Sequence, residues 1–258
     1  MLAVHDLAFG YGKRRVGEGV SFGVNAGAIA GVLGPNGSGK TTLFRTILGL
    51  LPPQAGRITL DGHDITAWPA RERARAIAWV PQTHTTSFAF TVRELVLMGR
   101  TPHLSAFASP GKSDHDKVSQ ALDRVGIAHL EGRVASELSG GERQLVLLAR
   151  AIAQESRVMI MDEPMAHLDL GNRVRVLHHV QRLAREGMAI IVSTHEPDHA
   201  LAIADKALLF ENGRLVMQGA PASVITGDTL SRLYGVPVAV VEADGARLVV
   251  LPRTSTSI

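Results

Sequence analysis

The segment GPNGSGKTT at Gly34–Thr42 constrains the fold of this chain more than any other stretch. Two glycines with four residues between them are followed directly by Lys40 and Thr41. An apolar run, Ala28–Leu33, leads into the segment. A helical stretch, Thr42–Leu50, leaves it and is stopped by Pro52-Pro53. A strand, a glycine loop and a helix in that order build an anion cradle. Backbone N–H groups of Gly34, Pro35–Ser38 and Gly39 turn inward wherever the residue has one, and the helix N-terminus adds its partial positive charge. Lys40 is placed to reach the β- and γ-oxygens of a triphosphate, and the Thr41 hydroxyl to ligate Mg²⁺. A chance match in a chain with 26 glycines would lack the strand before and the helix after.

The remaining pattern reads as α/β. Leu2–Phe9 and Val20–Val24 are apolar-rich strands around an expected loop, Gly10–Gly19. Arg57–Leu60 and Ile77–Val80 add two more strands. From about Thr91 to Gln154 helical patterns take over, at Val92–Met98, Asp116–Val125 and Gly140–Gln154, with a loop-rich Thr101–Ser113. Val158–Met161 and Ala189–Val192 are unbroken apolar runs of the kind buried parallel strands show, with a long helix, Gly171–Glu186, between them. Ala207–Phe210 and Leu215–Met217 flank Asn212-Gly213 as a hairpin. Beyond Pro221 the pattern predicts one short helix, Asp228–Tyr234, and a strand-like tail. The expected division is a nucleotide-binding core at 1–82 and 155–220, a helical insert at 83–154, and a C-terminal part at 221–258.

Two further segments carry chemistry. Asp162 and Glu163 close the strand Val158–Met161, which places both carboxylates at the mouth of an α/β sheet beside the glycine loop. Asp162 is expected to hold Mg²⁺, and Glu163 to orient or deprotonate an attacking water. On its own Asp-Glu-Pro reads equally well as a solvated strand exit; the glycine loop upstream decides for chemistry. The second glycine segment is LSGGERQ at Leu138–Gln144. Ser139 is a natural helix cap, and Gly140-Gly141 allow close backbone approach. An ordinary capped helix would satisfy the same residues. One triphosphate needs no second cradle in its own subunit, so this one is expected to serve the triphosphate of a neighbouring copy.

Composition narrows the classes. Basic and acidic residues number 27 and 24, no dense basic tract is present, and aromatics make up 4%. The sequence pI near 9.6 therefore does not by itself point to nucleic acid. The absence of cysteine excludes disulfides, thiolate zinc sites and a thiol nucleophile. No run approaches the roughly 18 apolar residues that cross a bilayer. The chain is expected to be soluble and to reach any membrane through a partner.

With these motifs in order, the chain resembles the ATP-binding-cassette (ABC) ATPase subunits over nearly its whole length. The resemblance implies a P-loop NTPase (RecA-like) core with an N-terminal antiparallel β subdomain and an inserted α-helical subdomain. It implies ATP and Mg²⁺ as ligands, with Gly34, Pro35, Asn36, Gly37, Ser38, Gly39, Lys40, Thr41 and Thr42 around the phosphates. Tyr11, otherwise a plain surface tyrosine, matches the aromatic that stacks on adenine. Gln82, otherwise an ordinary loop glutamine, matches the residue that touches Mg²⁺ and the attacking water. Ser139, Gly140, Gly141 and Glu142 match the signature that reaches the opposite subunit's ATP. Asp169, in Ala166-His167-Leu168-Asp169, matches the loop that communicates across that dimer. His195 matches the switch histidine at the γ-phosphate. Where the family commonly has Thr after Asp-Glu-Pro, Met165 stands here.

Finer likeness is to importers of iron chelates, haem and cobalamin. It rests on Met98–His103, on Ala106-Phe107, and on a tail helix with Thr226, Leu230 and Tyr234-Gly235. The implied partners are a second copy, a transmembrane permease and, indirectly, a periplasmic or extracellular solute-binding protein, with no nucleic acid. The implied location is the cytoplasmic face of the bacterial plasma membrane. The alternatives are another importer or exporter, and a cassette protein acting on nucleic acid or ribosomes. His195-Glu196-Pro197-Asp198-His199 also spells a zinc-protease pattern. That pattern needs both histidines on one helix face, and Pro197 disfavours helical geometry at Glu196.

Overall fold

The computed structural model describes residues 1–82, 89–105, 107–166, 168–243 and 245–250; Ala106, His167 and the end of the expected tail lie outside the described residues. The chain opens with two long strands, β1 (Leu2–Tyr11) and β2 (Arg14–Val24), which pair antiparallel up to Tyr11 opposite Arg14. The expected loop at Gly10–Gly19 is therefore mostly strand, joined by a turn of two residues. Its glycines and charges hide the period-2 pattern, while close pairing demands a glycine: a Cβ on Gly10 would lie 2.0 Å from the Arg14 carbonyl oxygen.

The buried strand β3 (Ile29–Leu33) runs into the glycine loop, and α1 (Lys40–Ile47) leaves it. Strands β4 (Ala55–Leu60) and β5 (His63–Asp64) complete an antiparallel sheet in the order β2-β1-β4-β5. Helix α2 (Ala70–Ala76) was not expected, because ARERARA has no apolar period. It is held by the buried Arg73, whose guanidinium donates to the carbonyl oxygens of Ile65, Thr66 and Ile47. Strand β6 (Ile77–Val80) follows.

Between residues 89 and 154 the described chain is helical: α3 (Val92–Leu97), a 3₁₀ stretch Met98–His103, α4 (Lys112–Val125), two short 3₁₀ turns, and α5 (Gly140–Ala153). Strand β7 (Val158–Met161), α6 (Leu170–Arg185), β8 (Ala189–Thr194), α7 (Pro197–Ile203), β9 (Lys206–Glu211) and β10 (Arg214–Gly219) come next. Helices α8 (Pro221–Val224) and α9 (Gly227–Tyr234) and the hairpin β11 (Ala239–Ala243) and β12 (Ala246–Val250) close the chain. The short α7 was also not expected; Pro197 sits at its first turn, where a missing N–H costs nothing, and so begins the helix.

The main sheet has the order β10-β9-β3-β8-β7-β6, parallel except for β10. One apolar core fills the space between this sheet and the antiparallel sheet, around Phe9, Phe44 and Phe210. Another joins the opposite face of the sheet to α3–α6. Burial on both faces is why β3 and β7 carry no polar side chain and why β8 is apolar up to Ser193 and Thr194 at its C-terminal end. The fold is that of a P-loop NTPase. In register, Leu33 lies beside Thr194, Met161 beside Val192, and Val80 beside Met161. The C-terminal ends of β3, β8, β7 and β6 therefore finish at one edge, where ligands bind in open α/β sheets.

Candidate nucleotide site

The glycine loop is shaped by contacts that leave its inner groups open. Gly37 and Gly39 have φ of 80° and 103°, in the region that favours glycine. A Cβ on Gly34 would lie 2.1 Å from the Phe210 carbonyl oxygen, so the loop can press directly against the end of β9. The turn after β9 supports it from below, where Gly213 N–H donates to the Ser38 carbonyl oxygen at 2.9 Å. Helix α1 begins at Gly39 with no side-chain cap and no acidic residue in its first turn. The Ser38 hydroxyl is buried without a hydrogen-bond partner. An uncapped helix start and an orphaned buried hydroxyl are the features an anion satisfies.

Lys40 is buried beside them. Its Nζ donates to the carbonyl oxygens of Gly34 (2.7 Å) and Pro35 (3.1 Å) and lies 3.7 Å from Glu163 Oε1. Burial pulls its pKa below the ordinary lysine value, while Glu163 and Asp162 pull it back up. A buried cation with this little compensation is suited to a polyanion.

At the end of β7, Asp162 is gripped on both oxygens. Thr41 Oγ1 donates to Oδ2 at 2.7 Å, and Ser193 Oγ donates to Oδ1 at 2.7 Å. The same Ser193 oxygen accepts the Glu163 backbone N–H at 2.9 Å. Ser193 was absent from the residues chosen on sequence, although a polar residue near the end of an otherwise apolar buried strand was a usable signal. Glu163 holds φ of 46°. Its Oε2 accepts from Gln82 Nε2 at 3.2 Å and lies 3.0 Å from His195 Nδ1. Val16, residues 36–42, Gln82 and Glu163 line a cavity of about 350 Å³ over the loop. Thr41, Gln82 and Asp162 offer only oxygen donors and one carboxylate, which fits a hard ion such as Mg²⁺ that completes its shell with phosphate and water.

Tyr11 stands at the end of β1, exposed, with its hydroxyl accepting from Arg45 Nη1 of α1 at 3.3 Å. A hydrogen bond with Thr42 is the main cause of its pKa lying below the ordinary tyrosine value. It flanks α1 and is not part of the cavity wall.

The second group of expected residues gathers elsewhere. Ser139 caps α5 in a closed box: its N–H and hydroxyl each donate to Glu142 Oε2 at 2.8 Å, and its oxygen accepts from Glu142 N–H at 3.3 Å. The bonds from the Ser139 hydroxyl and backbone hold Glu142 below the ordinary carboxylate value. Asp169 caps α6 by accepting from Asn172 N at 2.9 Å and Nδ2 at 2.7 Å. Asn172 in turn fills the space where a Gly141 side chain would be, 2.2 Å from an added Cβ. Ser139, Gly140, Gly141, Glu142 and Asp169 therefore form one surface through Asn172, and none of them lines the cavity over the glycine loop.

The zinc-protease spelling has no matching geometry. His195 precedes α7, Glu196 is extended at φ −101° and ψ 106°, and His199 is buried in α7 with Nδ1 3.2 Å from Thr194 Oγ1.

The sequence pattern of the family described as ABC transporter matches residues 18–166, more than half of the chain. The hemin import ATP-binding protein HmuV of Nocardia farcinica is 42% identical over 244 residues, covering 93% of this chain and 83% of its own. The ferric enterobactin transport ATP-binding protein FepC of Escherichia coli K12 is 36% identical over 256 residues, covering 98% and 94%. A chain of a structure described as a metal-chelate type ABC transporter, in an inward-facing conformation, superposes with a TM-score of 0.84. It shares 34% identity and covers 96% of this chain and 95% of that one. The chain belongs to the ABC transporter family as an ATP-binding subunit. Such subunits bind and hydrolyse ATP to power transport and work with transmembrane permease partners. Among the described residues no helix is long and apolar enough to cross a membrane.

Proposed function

We propose that this chain drives uptake of a metal chelate (a ferric siderophore, haem or cobalamin) by closing head to tail with a second copy at the cytoplasmic face of the membrane. A transmembrane permease docks on the pair from the membrane side, and a solute-binding protein delivers from outside. The observation that carries this reading is the convergence of Lys40, Thr41, Gln82, Asp162, Glu163 and His195 at one sheet edge, while Ser139–Glu142 and Asp169 do not line the cavity there.

Each residue has a task that follows from its position. The loop N–H groups, the Ser38 hydroxyl and Lys40 hold the phosphates of ATP, and Tyr11 stacks on the base. Thr41 and Asp162 hold Mg²⁺ with Gln82 beside them; when bound, the ion neutralises charge on the β- and γ-phosphates. Glu163 accepts a proton from the attacking water, and His195 and Gln82 hold its carboxylate toward the γ-phosphate. Ser139, Gly140, Gly141, Glu142 and Asp169 supply the opposite wall to the other copy's ATP, using the start of α5 as an anion site. The described residues between 89 and 154 form a helical unit inserted in the core of 1–82 and 155–220, and the permease docks near Gln82. Support for the importer class comes from the haem and ferric enterobactin relatives and the metal-chelate structure.

Proteoliposomes carrying the chain with its permease test the substrate class. ATP inside should drive accumulation of one of the three chelates from the solute-binding protein's side. Vigorous ATP hydrolysis with no accumulation of any of them contradicts it.

A further inference from the structure

Thr226, Leu230 and Tyr234-Gly235 were singled out in the sequence, yet they belong to neither cluster of site residues. Together they place one phenol. Thr226 caps α9 by accepting the Thr229 N–H at 3.2 Å. Leu230 is fully buried in the apolar cluster that also holds Leu33, the last residue before the glycine loop. Gly235 ends the helix in a left-handed turn at φ 70°. Tyr234, packed against the same apolar cluster, donates its hydroxyl to the backbone carbonyl oxygen of His195 at 3.2 Å.

His195 belongs to a two-residue link between β8 and α7, so little of its own secondary structure fixes it. The Glu196 side of the link is tied several times over: Thr194 Oγ1 accepts the Glu196 N–H at 3.0 Å, Arg173 pairs with the Glu196 carboxylate at 2.8 Å, and His199 N–H donates to the Glu196 carbonyl oxygen at 3.2 Å. The His195 side is tied by Tyr234. Burial, and behind it the negative charge of Glu163, pushes the phenol pKa up to about 12. The hydroxyl therefore keeps its proton at physiological pH, and a carbonyl oxygen can only accept, so the bond has one direction.

We propose that Tyr234 is a positioning residue for ATP hydrolysis: its hydroxyl fixes the His195 backbone so that the imidazole stays within hydrogen-bond reach of Glu163. This rests on reading His195 as part of the hydrolytic cluster. It gives the C-terminal part of the chain, which lies outside the matched 18–166 region, a place in the reaction. Removing the hydroxyl leaves the ring packing intact and loosens only the link.

The test uses the purified full chain with Tyr234→Phe, His195→Ala and the double variant. Tyr234→Phe should lower kcat for ATP about threefold to tenfold, the effect of one lost neutral hydrogen bond, with KM for ATP and the melting temperature unchanged. In the His195→Ala background, Tyr234→Phe should cause no further loss of the residual turnover, because its route of action is gone. Full kcat in Tyr234→Phe beside a crippled His195→Ala overturns the role of Tyr234 alone. Equal fractional losses in both backgrounds also overturn it. Full turnover in His195→Ala overturns the reading of the cluster and the inference with it.

Discussion

Glu163 carries a positive φ that a residue with a side chain adopts at a cost of about 1–3 kcal/mol. Its backbone N–H is held by Ser193, which also holds Asp162, so one buried hydroxyl sets two carboxylates at once. Ser193→Ala leaves the Asp162 oxygen and the Glu163 N–H short of a partner. It should cost about 1–3 kcal/mol of stability in urea unfolding. It should also lower kcat about tenfold while ATP affinity changes little, since Lys40 and the loop are untouched. That Lys40, Thr41, Asp162 and Glu163 come together was legible in the sequence, because a glycine loop and a carboxylate pair each follow an apolar strand whose end falls at one sheet edge. Ser193 was not, because a serine in Ala189–Thr194 reads first as a strand residue and only the fold shows what stands opposite. Tyr234 was visible as a likeness, but no local pattern could show that α9 returns to His195.

At the scale of elements, strands and helices with strong periodicity were read well. Val158–Met161 and Ile77–Val80 match their strands end to end. The misses have two causes: α2 has no apolar stripe and β2 is broken by glycine and charge, so tertiary contacts decide them, while α7 and α8 are short helices that each begin on a proline, which reads first as a break. Met98–His103, noted as a likeness to importers, has a structural task. A Cβ on Gly99 would lie 2.3 Å from the Arg150 carbonyl oxygen. The buried Arg100 joins three elements, to Asp114 at 3.0 Å, Glu155 at 2.8 Å and the Ala153 carbonyl at 2.7 Å. Arg100→Met keeps the volume but removes a donor from the Ala153 carbonyl, from Asp114, which keeps the Gly111 N–H, and from Glu155, which keeps Lys117; it should destabilise the chain by about 1–3 kcal/mol in chemical unfolding.

The same region depends on carboxylate caps. Glu94, Asp114, Glu142 and Asp169 each accept N–H groups at a helix start and lie below the ordinary values of 4.5 for Glu and 3.8 for Asp. A carboxylate with a lowered folded value stabilises the fold above its unfolded pKa and loses that contribution as pH falls through the folded one. Helices α3 to α6 should therefore be the first to lose amide-exchange protection as pH drops below about 4.5, while β3 and β8 stay protected.

In the molecule as a whole, two glycine-rich helix starts, the uncapped one at α1 and the Ser139-capped one at α5, share one chain and not one cavity. The sequence already held both and the argument that one triphosphate needs only one of them within a subunit. What it could not hold was the distribution: the α5 start is joined to Asp169 through Asn172, while the α1 start is joined to Glu163 through Lys40. On the proposed function, each copy presents a phosphate-holding face and a separate signature face, and ATP links the two copies. Because the γ-phosphate is what both faces grip, ADP should not hold the pair.

The mass of the full chain in solution tests this most directly, with Glu163→Gln used to stop turnover. With Mg-ATP the variant should shift from 27.5 kDa to twice that mass, and with Mg-ADP it should stay at 27.5 kDa. Adding Ser139→Arg to Glu163→Gln should return it to 27.5 kDa in Mg-ATP while ATP binding is retained. A pair that forms equally well with arginine at position 139, or with ADP, would contradict a site completed across two copies.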